Sequence, residues 1–188
     1  MRKIKSILGF VLIVLIVLNS VPALANYSTE DIDRMFLNSF GGIGIYWERT
    51  AYGNGTAKDI TENARLDSHD YTFRVMSDGT GVAEVSLSGW FSDLRMNPDG
   101  TFPLGLEALT ACVYAVDTLV PTYNASLIVS PYDVYDVLWE GKLYDTTGTD
   151  GWRFLEVSTG RIEAVHDSGA YLIMSVNGPY FNFTYTSH

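Results

Sequence analysis

The chain has one cysteine, Cys112, and only 12 lysines and arginines among its 188 residues. A lone cysteine excludes the internal disulfide framework that staples many small exported domains. Stability must then come from a hydrophobic core or from neighbouring copies. Cys112 lies in the apolar run 109–116, where it is either a buried inert thiol or one half of an intermolecular disulfide. The few basic residues face 22 acidic ones, for a net charge of −10. A surface of that sign repels nucleic acid and anionic lipid and favours cations or basic partners, with plain solubility as the simpler consequence. No Pro- or Ser-rich linker, internal repeat or low-complexity stretch divides the sequence.

Catalytic signatures are also lacking. There is no Gly-x-Ser-x-Gly elbow and no Ser/His/Asp order that stands out. Cys112 with His69 or His166 would make a thiol pair, but an apolar strand is a poor setting for a thiolate. Asp67-Ser68-His69-Asp70 and His166-Asp167 bring ligand atoms close, yet zinc needs three or four that converge. Asn97-Pro98-Asp99-Gly100 resembles the middle of a calcium loop, but Arg95 stands where the first carboxylate belongs, so an EF-hand is excluded. No catalytic, cofactor or metal residue is assigned and no enzyme is expected. A loosely held calcium ion on the acidic surface is the one cofactor expectation.

What is present begins with an export signal. Arg2, Lys3 and Lys5 precede an apolar run over 7–18, and Ala23-Leu24-Ala25 has the small–x–small pattern that signal peptidase cuts. Residues 1–25 therefore read as a cleavable signal and 26–188 as one extracellular domain. An uncleaved anchor would have to hold Asn19, Ser20 and Pro22 within its span. Cleavage would leave nine basic residues against 22 acidic ones, a formal charge of −13. Beyond residue 25 no stretch is apolar enough to span a membrane. Four Asn-x-Ser/Thr sequons, at Asn26, Asn54, Asn124 and Asn182, are candidate glycan acceptors in an exported chain, expected on turns or strand ends.

Periodicity predicts a mainly β domain: an antiparallel sandwich, barrel or meander with one or two short helices. Ser28-Thr29-Glu30-Asp31 has the form of a capping box, and Ile32, Met35, Phe36 and Phe40 follow at helical spacing, which predicts a helix over 29–40. Residues 43–50, 71–77, 81–87, 152–158, 161–166, 171–176 and 180–185 read as strands. Asp78-Gly79, Thr159-Gly160, Ser168-Gly169 and Asn177-Gly178 supply turns between them, and Asp99-Gly100 and Asp150-Gly151 mark two more. Pro131, Asp133 and the terminating Gly141 make a helix over 131–140 as good as a strand. Residues 106–120 fit either period, and their β-branched and aromatic second half tips the reading to a strand.

Two function classes survive. Glu84, Glu140, Glu156 and Glu163 lie in or near strands, where paired carboxylates would suit a glycosidase. Trp47, Trp90, Trp139, Trp152 and the 12 tyrosines would suit a carbohydrate-binding face, or simply a core. Export signal, sequons, acidity and sparse basic residues together resemble archaeal surface-layer, sheath and filament proteins, with the methanogen sheath protein as nearest analogue. That resemblance implies an exported structural protein of the cell envelope that assembles with copies of itself. Assembly is expected along the sparsely charged strands 171–176 and 180–185, with cell-surface glycan as a further partner. The alternative is a carbohydrate-binding module or polysaccharide-acting hydrolase.

Overall fold

The computed structural model describes residues 27–40, 44–53, 58–120, 130–143 and 151–187. The signal segment and the sequons at Asn26, Asn54 and Asn124 lie outside them. Among the described residues three helices, α1 (Thr29–Asn38), α2 (Leu104–Asp117) and α3 (Val134–Glu140), accompany eight strands. The strands are β1 (Glu48–Tyr52), β2 (Asp59–Leu66), β3 (His69–Ser77), β4 (Val82–Trp90), β5 (Trp152–Ser158), β6 (Arg161–His166), β7 (Tyr171–Asn177) and β8 (Tyr180–Thr186). They form one antiparallel sheet in the order β1-β2-β3-β4-β8-β7-β6-β5. Of the three forms the sequence admits, a meander is the one built, and twice over. A helix precedes each four-stranded meander, and the two meanders join where β4 pairs with β8.

The helices lie on one face of this open sheet. Alternation along the strands sends Ile60, Phe73, Val75, Val85, Leu87, Leu172, Phe181 and Phe183 into the core beneath them. The capping box at α1 forms as its residues predict: Asp31 N–H donates to Ser28 Oγ at 3.2 Å, and Ser28 N–H to Asp31 Oδ2 at 3.0 Å. Ile32 and Phe36 then face the sheet, and Phe36 stacks on Phe73 with centroids 3.8 Å apart. Each such ring contributes roughly 1.5–3 kcal/mol by its burial. The stripe of α1 is thus satisfied within its own domain.

Residues 106–120 correct the sequence reading, because they hold the longest described helix rather than a strand. Leu106, Leu109, Val113 and Val116 are buried as their spacing requires, and Ala108, Ala111, Cys112 and Ala115 are buried as well. A helix apolar almost all round is a layer element pressed between α1, the sheet and the turn Phe91–Leu94. Tertiary burial there overrides the strand preference of Val and Tyr. α3 starts later than expected, at Val134, and stops at Gly141, whose φ of 69° is the left-handed cap glycine favours. Gly160 N–H donates to Leu138 O at 2.7 Å, tying that helix to the β5–β6 turn.

Two further strand readings change. The first strand runs over Glu48–Tyr52, since residues 44–47 carry Trp47 into the core before pairing starts. β2 had no strong alternating apolar signal and is joined to β3 through Asp67 and Ser68, both at positive φ (48° and 79°). A two-residue turn of that hand matches strand twist but is usually built from Asn or Gly.

Tyr71 is the keystone of the layer. Its hydroxyl donates to Asp93 Oδ2 at 2.9 Å, and its ring lies over Gly89 of β4 and reaches Gly105 in the first turn of α2. A Cβ at residue 89 would run into that ring. Gly89→Ala is therefore expected to destabilise the domain by roughly 1–3 kcal/mol through overpacking. A lowered denaturation midpoint is the expected result, and an unchanged one would show that the ring has room to move.

Candidate functional site

Among the described residues the helices cover one face only, and the side chains of the other are half-buried or exposed. Cross-strand register sets Asn63, Thr72, Ser88, Asn182 and Ser175 in one row across β2, β3, β4, β8 and β7. A second row holds Arg74, Ser86, Thr184 and Ile173. Where β4 meets β8, in the middle of the face, Ser86, Ser88, Asn182 and Thr184 are small, polar and uncharged. Charges surround them, with Glu84 one row further along β4 and Asp70 on β3, and several at the flanks are paired. Arg74 holds Asp59 through both carboxylate oxygens, and Arg161 bridges Glu163 (2.8 Å) and Glu156 (3.1 Å). Ser, Thr and Asn side chains both donate and accept hydrogen bonds, so these rows offer an array matched to neutral hydroxyl-bearing ligands.

Aromatic rings close one end of the array. Trp90 of β4 pairs directly with Tyr180 of β8, and the rings meet edge-on at 5.3 Å. His69 stacks on the indole at 4.2 Å with planes 15° apart. Asp93 fixes this corner by accepting from His69 Nδ1 at 2.7 Å and from the Tyr71 hydroxyl. The carboxylate orients the imidazole as in a catalytic dyad, yet no described hydroxyl or thiol is hydrogen-bonded to its other ring nitrogen. What the pair does here is hold the ring against Trp90. Burial and the Asp93 charge together push the Tyr71 phenol far above its ordinary range, so it stays a donor.

The residues singled out by sequence scatter. Trp47 and Trp152 are buried in the core, while Trp139 is exposed on α3, stacked on Tyr135, which in turn stacks on Phe91. Glu84 lies on the open face, Glu156 and Glu163 meet under Arg161, and Glu140 ends α3. The Asp99 carboxylate accepts from the backbone and hydroxyl of Thr101, a turn closing on itself. His166 is buried against Ser168. Among the described residues no three His, Cys, Asp or Glu side chains converge on a metal position. Cys112 is fully buried in α2, and burial raises its thiol pKa well above the ordinary value. A thiol so placed is packed within its own domain. Of the sequons, Asn182 is described, and it stands exposed in mid-strand rather than on a turn or strand end. The strands expected to form an exposed edge, 171–176 and 180–185, are β7 and β8, each paired on both sides. Among the described strands the edges are β1 and β5.

A pair of buried carboxyls went unnoticed in the sequence. Asp33 of α1 and Glu62 of β2 are both under the helix layer, 3% and 1% exposed, with Asp33 Oδ1 and both Glu62 oxygens lacking hydrogen-bond partners. Arg49 lies 3.4 Å from Asp33 and 3.7 Å from Glu62. Lys58 is engaged by Glu30 beside them. Desolvation first, then the neighbouring Asp33 charge, pushes Glu62 up to about 7, and desolvation raises Asp33 too. The only sequence signal was a charged residue on the inward parity of β2, invisible before the strand was known.

A carboxyl with a raised folded pKa keeps its proton in the fold after the unfolded chain has released it. Stability therefore falls as pH rises from about 4.5 to about 7, then levels. Glu62→Gln cannot ionise. Urea unfolding at pH 5 and pH 8 should show the variant gaining on the parent by on the order of 1–3 kcal/mol at the higher pH. An equal difference at both pH values would contradict the buried, raised carboxyl. Comparison with protein-family models, with curated proteins and with solved structures finds no match for this chain.

Proposed function

We propose that this chain is an exported recognition module that holds neutral polysaccharide on the open face of its sheet. The observation that carries the reading is the uncharged Ser/Thr/Asn array bounded at one end by Trp90 and Tyr180. Sugars present hydroxyls at their rims and C–H groups on their faces. The first suit the array and the second suit the indole and phenol rings. Asp59, Glu156 and Glu163 on the same face are held by arginines, and Glu84 lies one row beyond Ser86 and Thr184, so the central row is left to uncharged partners. Binding is favoured over hydrolysis because the three carboxyls with raised pKa, Asp33, Glu62 and Asp117, lie on the helix-layer elements and under them, away from the array.

Retention of the chain by a soluble neutral glucan such as laminarin, in affinity electrophoresis, tests this. Trp90→Ala should weaken retention roughly three- to tenfold, the value of one aromatic stack. Trp139→Ala, on the helix layer, should leave it unchanged. Loss of retention in Trp139→Ala with none in Trp90→Ala would move the site to the exposed α3 stack and overturn the proposal.

A second reading, assembly of copies into an envelope layer or filament, draws on the sheet being open, with β1 and β5 unpaired on their outer sides among the described residues. Leu155, at a bulge in β5, is half exposed. Both edges carry guards against pairing, Glu48 and Arg49 on β1 and the bulge with Arg153 on β5. Polymers in size-exclusion chromatography with calcium present would support this reading, and a monomer with and without calcium would reject it.

A further inference from the structure

Asn182 stands at the centre of the proposed binding face, and its sequon is laid out along one side of β8. Phe183 is fully buried, so Asn182 and Thr184 share the open face, with Asn182 exposed. Tyr180, 52% exposed, precedes Asn182 by two residues on the same face, about 7 Å along the strand. Across β4 and β7 the neighbours of Asn182 are Ser88 and Ser175, which leave room above the amide. Trp90, opposite Tyr180, is its diagonal neighbour, within reach of a large group by the ordinary spacing of such pairs. A sugar joined to Asn182 has small residues on either side and aromatic rings at one end.

We infer that Asn182 carries an N-linked glycan whose first sugar packs on Tyr180 and Trp90, so that the exported protein occupies its own binding face. The modification joins Asn182 Nδ2 to C1 of a sugar delivered from a lipid phosphate-linked donor. The C1–O bond breaks with its electron pair left on the departing lipid phosphate, which takes up the one proton the amide gives up. β8 is hydrogen-bonded on both sides in the fold, so the transfer must precede the closing of the sheet. Regulation of the face in this way rests on the carbohydrate-binding reading. The glycan and its stacking do not.

The test uses the full chain secreted from an N-glycosylating host, beside Asn182→Gln, Thr184→Ala and Thr184→Ser. Thr184→Ala keeps the amide and destroys the sequon, while Thr184→Ser keeps both. Glycopeptide mapping should find glycan at residue 182 in the parent and in Thr184→Ser alone. Indole fluorescence should shift in the two sequon-less variants, and the shift should vanish when Trp90→Phe is added. Retention by laminarin should rise roughly tenfold when the parent chain is made in a host without N-glycosylation, a comparison that leaves Asn182 and Thr184 in the face. A bare Asn182 in the parent overturns the inference, as does a glycan whose loss leaves the Trp90 signal unmoved. A Trp90 shift without any laminarin retention would keep the stacked glycan and reject the carbohydrate-binding reading instead.

Discussion

Everything in this fold depends on drying one face of an eight-stranded sheet while leaving the other wet. A sheet with eight strands has more apolar surface than one short helix can cover. α1 caps β2 and β3, α2 lies against β4, and α3 closes on β5. The layer is locked at two places, the Phe36–Phe73 stack and the Tyr71 hydroxyl on Asp93. Both ask for close approach, which is why Gly89 and Gly105 sit around the Tyr71 ring.

The functional surface is the consequence of that division. With the core on one side, alternation puts every second residue of each strand into water on the other. Evenly charged side chains would serve solubility there equally well. The central rows instead hold Thr72, Ser88, Asn182, Ser175, Ser86 and Thr184, with Glu84 one row beyond them and the charges of Asp59, Glu156 and Glu163 held by arginines. The structural elements also serve the site. Asp93, which anchors Tyr71 for the core, also positions His69 against Trp90.

Local chemistry made part of this legible in advance. The Ser28–Asp31 box, the Gly-containing turns after β3, β5, β6 and β7, and the stop at Gly141 each act over a few residues, and each is where the sequence places it. α2 was misread because a helix buried on nearly all sides loses the polar stripe that would mark its period, and its Val and Tyr residues mimic a strand. β2 was missed because Glu62 interrupts its inward alternation and the β2–β3 turn lacks glycine. The site was legible only as an inventory. Trp90, Asn182 and Tyr180 were each visible in the sequence. That they share one face depends on β4 meeting β8, a pairing across about 90 residues that no local pattern encodes. The edge strands were misplaced for the same reason.

The most direct test of the central claim is residue-level mapping of the ligand footprint. Amide and indole NMR signals of the unglycosylated chain would be followed during titration with laminarin. The account predicts shifts concentrated at Trp90, Ser88, Asn182 and Thr72, with the helix layer around Tyr114 and Trp139 silent. Shifts centred on the helix layer, or none at any laminarin concentration, would contradict it.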